Sequence, residues 1–187
     1  MSEVIDFLRN ETEKLEYFME ELLALESVSD GEVEPAELRK VIVRVYRIYG
    51  CVEKLREIHP EWVFISENRL FDLMRALIDL DVLPPVPSVS DIYKSIPETI
   101  AIGFLYVFHV FQMHAHSLGR FLENNGDIHE SAYRAFTFIQ NDLALRSKFL
   151  DLVRAKKSLA DAELMAEGVN LAFYEMEKHL DENAATN

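Results

Sequence analysis

The stretch Leu38-Arg-Lys-Val-Ile-Val-Arg-Val-Tyr-Arg-Ile-Tyr-Gly-Cys-Val-Glu-Lys-Leu55 decides the fold class. Leu38, Val41, Val45, Ile48, Val52 and Leu55 recur in alternating steps of three and four, the period of one helix face. Ile42 and Tyr49 widen that stripe, which favours burial in a globular bundle over a narrow coiled-coil seam. Lys40, Arg44, Arg47 and Lys54 form a basic stripe on another face. Gly50 inside the helix costs about 1 kcal/mol relative to alanine, so close passage of another backbone is expected there. Pro35 suits the first turn and Pro60 ends the pattern.

Working outward from this helix, the same periodicity accounts for most of the chain. Residues 3–26 read as an acidic helix with Leu15, Phe18, Leu22 and Leu25 on one stripe, broken by Ser-Val-Ser-Asp-Gly at 27–31. Residues 1–37 hold 12 acids against 2 bases, whereas 38–58 hold 2 acids against 6 bases. That split predicts an antiparallel hairpin with facing charge stripes, its stability coming mainly from packing because exposed ion pairs are worth only about 0–1 kcal/mol each. Trp62, Val63, Phe64 and Ile65 form an apolar connector, followed by a helix over 66–80. Pro84, Pro85 and Pro87 impose an extended surface segment over 84–90, a point of internal division. Ser95 and Glu98 have capping-box spacing, and Pro97 fits the first turn of a long helix reaching about Glu123 and stopping at Asn124-Asn125-Gly126. Asp127 and Glu130 repeat the spacing for a helix toward Lys156. Ser158 starts or kinks a last helix through Ala162, Met165, Val169, Phe173, Met176 and Leu180. The fold class is therefore all-α: one domain over residues 1–182, a bundle of six or seven helices with a long central helix, and a frayed tail at 183–187.

Composition narrows the function classes. The formal charge of −14 repels nucleic acid and anionic membrane alike. The longest apolar run, 100–113, is too short to cross a bilayer, which takes about 20 residues. The N-terminus carries no basic region or cleavable apolar segment, so the expected compartment is the cytoplasm. Cys51, the single cysteine, excludes an internal disulfide and reads as a small core residue. No Gly-rich phosphate loop, nucleophile elbow or His-Glu-x-x-His motif occurs.

Three readings of function follow. The first is a non-enzymatic interaction module, an adaptor, regulator or partner-specific chaperone, binding another protein or itself as a homodimer. Its apolar patch is expected at Phe71, Met74 and Phe138, on helices that carry apolar residues on more than one face. The second is a helical pocket holding a small ligand or metal along a polar seam of the long helix, His109, Gln112, His116 and Arg120. Two histidines two turns apart lie about 10 Å apart, so they cannot share an ion without other ligands, and no metal or cofactor is assigned. The third is a magnesium-dependent hydrolase using helix carboxylates such as Glu13/Glu16 and Glu53/Glu57, which would have to converge from two or more helices. No catalytic residue is assigned.

Two short segments carry resemblances. Pro-Pro-Val-Pro with Ser90, Tyr93 and Pro97-Glu98-Thr99-Ile100 resembles a segment of the TorD/DmsD chaperones of molybdoenzymes, which are all-helical. The family's Asp-His after the proline is Glu98-Thr99 here, and its later acidic residue is lacking. Leu145-Arg146-Ser147-Lys148-Phe149 is similar to a short piece of translin, a helical RNA-binding protein. Two unrelated families matched over such short segments assign the chain to neither.

Overall fold

The computed structural model describes residues 6–8, 10, 17, 35–60, 62, 69–84, 95–124, 130, 136, 143–156 and 158–177. Among them the chain is all-helical with no strand. Five helices run continuously: α1 Pro35–Ile58, α2 Arg69–Asp79, α3 Glu98–Asn124, α4 Leu143–Ala155 and α5 Leu159–Glu177. Residues 6–8, 10, 17, 130 and 136 are helical as well.

The ends of these helices follow from local chemistry. Proline opens α1, and its last backbone bond runs from the His59 amide to the Leu55 carbonyl at 2.8 Å before Pro60. The long helix α3 begins at Glu98, three residues after Ser95, with the Ala101 amide bonded to the Pro97 carbonyl at 3.0 Å. It ends at Asn124, where the Asn-Asn-Gly signal stands. Ser158 caps α5 reciprocally: the Asp161 amide donates to Ser158 Oγ at 3.0 Å, and the Ser158 amide donates to Asp161 Oδ2 at 3.3 Å.

The core is shared by α1 and α3. Residues 41–52 of α1 are buried on nearly every side, with only Arg44 half-exposed. In α3, Ala101, Ile102, Phe104, Val107 and Phe108 are fully buried. Ile42 and Tyr49, the residues that widen the α1 stripe, have no exposed surface. Phe108 meets Tyr49 edge-on, ring centroids 4.8 Å apart, and so ties α3 to α1.

The most extensive helix pairing joins α3 to α5, and two glycines make it possible. A Cβ built on Gly103 would stand 2.6 Å from the Met165 carbonyl carbon and 2.7 Å from Met165 Cα. One built on Gly168 would stand 2.7 Å from the Phe104 nitrogen and 3.0 Å from the Ile100 carbonyl carbon. Both lie inside van der Waals contact, so the two backbones touch where only hydrogen fits. Gly50, where close passage was expected from the sequence, is buried in α1.

The direction of the helices follows from their cross-contacts. His109 stacks on Phe149, and Lys156 reaches Glu98 at 3.8 Å, so α4 descends antiparallel along α3. The next helix, α5, begins three residues after Lys156, which lies by Glu98 at the start of α3, and it meets Gly103 at Met165. Thus α3 and α5 run the same way, with α4 returning between them in the chain. Below α1, α2 covers its flank with Leu73, Ala76 and Leu77, all fully buried.

The hairpin expected between the acidic N-terminal helix and α1 lies largely outside the described residues, although Leu8 is fully buried in the core. Two of the four stripe cations have other neighbours. Lys54 bonds Glu57 of its own helix at 2.7 Å. Arg47 is buried, where the charge of Glu175 on α5 acts on it through space. Of the apolar connector, Trp62 is buried as expected, stacked on His59 at 3.9 Å, and its companions lie outside the described residues. So do residues 85–90 of the proline segment and the tail at 183–187.

Candidate functional site

The outer face of α2 is where the bundle leaves large apolar side chains in water. Phe71 is 62% exposed and Ile78 is 55% exposed. Seven residues apart, they share a helix face with about 10 Å of rise between them. Met74 sits half-buried beside them, and Arg75 and Asp79 are exposed on the same side of the helix. Asp72, one turn before Arg75, is half-exposed. Arg75 makes no ion pair with any described residue.

The helix ends in a Schellman motif, which fixes how the chain leaves this face. The Val82 amide donates to the Leu77 carbonyl at 2.8 Å and the Asp81 amide to the Ile78 carbonyl at 3.0 Å. Asp81 takes the left-handed conformation, φ 57°, that glycine normally fills at this position. Beyond it Leu83 is 92% exposed.

Among the described residues, the exposed apolar side chains away from α2 are dispersed. Leu159 and Tyr174 lie on the outer face of α5, where the exposed Glu163, Glu167 and Asn170 separate them. Single apolar residues among charges are ordinary surface, whereas neighbouring ones on one helix face are not. Of the three residues expected to form a patch, Phe71 and Met74 therefore lie together on α2. Phe138 is outside the described residues.

The histidine seam begins inside the protein. His109 retains 6% exposure, its ring lying on Phe149 with centroids 4.1 Å apart and planes 23° apart, and Phe108 edge-on at 6.0 Å. One face of the imidazole is thus taken by an aromatic ring. Gln112, His116 and Arg120 follow on α3, but their side chains fall outside the described residues. Among the described residues no group of three His, Cys, Asp or Glu side chains comes together as a metal site would need. The described helices also include none long and apolar enough to cross a membrane.

Two buried charged residues, on α1 and α5, were not anticipated from the sequence. Arg47 and Glu175 retain 9% and 6% exposure, and Cys51 is buried one turn beyond Arg47. Burial pushes the Arg47 guanidinium below its usual pKa, while the charges of Glu175 and Cys51 push it back up. Arg47 Nε has no hydrogen-bond partner. The sequence signal for a buried Glu175 was its place next to Ala172, Phe173 and Met176 on the apolar side of α5. Nearby, burial raises the Tyr46 phenol above its ordinary pKa.

Comparison of the chain with models of known protein families, with curated proteins and with solved structures finds no match.

Proposed function

We propose that this protein is an interaction module that binds a protein partner through the outer face of α2. The observation that carries the reading is the joint exposure of Phe71 and Ile78 on one helix face, flanked by a cation without an intramolecular ion pair. Leaving two large apolar side chains in water forgoes about 1.5–3 kcal/mol of burial free energy for each, which docking of a partner recovers. Aromatic residues and arginine are also the residue types that most often anchor protein interfaces.

The test is a double substitution, Phe71→Ser with Ile78→Ser. Because both side chains are exposed, the variant keeps its helical circular dichroism and its stability to within about 0.5 kcal/mol. Partner recovery by the tagged protein from its native host falls to background. Equal recovery by the variant and the parent overturns the proposal.

A further inference from the structure

We infer that Arg47 anchors a binding site for a small oxyanion, a carboxylate or phosphate group, on the α1 face that turns toward α5. The site is separate from the outer face of α2, and either can fail without the other.

Lys40, Arg44, Arg47 and Cys51 follow at steps of four, three and four along one face of α1. Burial deepens along that face. Lys40 is exposed, Arg44 is half-exposed, and Arg47 and Cys51 retain 9% and 5% exposure. A cationic strip thus runs from water into the bundle and ends at a covered guanidinium. Lys40 and Arg44 have interactions of their own. Arg47 differs: among the described residues no hydrogen bond or ion pair reaches its guanidinium, and its Nε is sealed from water with no acceptor.

Most buried ionisable groups escape such a position by gaining or losing a proton, but arginine stays charged at any ordinary pH. Its charge therefore has to be met by an anion. Glu175 on α5, itself 6% exposed, acts on it through space and makes no ion pair with it. The idle Nε–H and the neighbouring Nη–H lie along one edge of the guanidinium plane and point the same way. That fork grips two oxygens of a carboxylate or a phosphate. The small part of Arg47 still in contact with water suits a solute of a few atoms rather than a peptide or a nucleic acid strand. The formal charge of −14 opposes anions at long range. Physiological salt screens charges more than about 8 Å apart, which leaves the local cations to decide.

The test is thermal unfolding in millimolar inorganic phosphate or acetate, with sodium chloride holding the ionic strength constant. The melting temperature of the parent chain rises with the logarithm of anion concentration, as binding to the folded state alone requires. The tighter of the two anions shows whether the natural source carries a phosphate or a carboxylate. Arg47→Met, an apolar side chain of similar length, folds and loses the response. Glu175→Gln removes the neighbouring negative charge and tightens anion binding severalfold, even though the variant is itself less stable. A general salt effect on folding would act alike on all three chains. A parent without the rise overturns the inference. So does an equal rise in Arg47→Met, or a Glu175→Gln chain that binds no more tightly than the parent. Should Arg47→Met fail to fold, the Glu175→Gln comparison decides alone.

Discussion

Adding one methyl group at Gly103 should destabilise the protein, although alanine is the better helix former. Carbon atoms in ordinary contact sit about 3.5–4.0 Å apart. The new methyl would stand 2.6 Å from the Met165 carbonyl carbon and 2.7 Å from its Cα. These are backbone atoms, so no side chain can rotate away, and α5 must retreat by about 1 Å. A gap of that size forfeits about a quarter to a half of each contact's attraction. The buried face of α5 includes Met165, Val169, Phe173 and Met176, each contributing about 1.5–3 kcal/mol when fully buried. Losing a quarter of that contribution over several residues costs about 2 kcal/mol. Residual overpacking adds about 1–3 kcal/mol, and helix propensity returns about 1 kcal/mol. The expected net loss is about 2–4 kcal/mol, measured by urea unfolding followed by circular dichroism. Gly168→Ala forces the same separation, so the double variant should lose clearly less than the sum of the singles. If Gly103→Ala matches or exceeds the parent in stability, the backbones do not meet there and the argument fails.

Three further outcomes follow from other parts of the bundle. Glu175→Gln removes a through-space charge that offsets the burial of Arg47 and should cost about 1 kcal/mol in the same unfolding assay, less than the loss of a contacting buried ion pair. Asp81→Gly should stabilise by about 1 kcal/mol, because it relieves the left-handed backbone and removes a negative charge from a helix C-terminus; a melting temperature at or below the parent's counts against it. Tyr46 has its pKa raised by burial, so its contribution is intact below the unfolded value of 10.0 and is lost as pH rises through the higher folded value. Stability should therefore fall above about pH 10, and less steeply in Tyr46→Phe, as alkaline urea titrations would report.

The helices were legible in the sequence because period and punctuation agree. The α1 stripe lies between Pro35 and Pro60, α3 stops at Asn-Asn-Gly, and Ser158 caps α5 with Asp161 as its partner. The end of α2 was harder to read, since its left-handed position holds Asp81 rather than glycine. Partner assignments were harder still. Gly103 and Gly168 lie 65 positions apart, and neither has a local reason to mark a crossing. Arg47 sits at helical spacing from Lys40 and Arg44, which gives the three residues one pattern. Tertiary packing separates them: Lys40 stays exposed while Arg47 is covered. The outer face of α2 was partly legible, because Phe71 and Met74 fall outside the stripe formed by Leu73, Ala76 and Leu77.

The stacking of Trp62 on His59 gives the protein a built-in optical gauge. The chain has one tryptophan, so all of its indole emission originates at this site, just past the end of α1. An imidazole lies flat against that indole, centroids 3.9 Å apart and planes 13° apart. The stack covers one face of the indole, so His59→Ala should move the emission to longer wavelength without unfolding the chain. The wavelength of emission follows water entry as α1 loosens. One spectrum thus reports the loosening of α1 at a single point of the core.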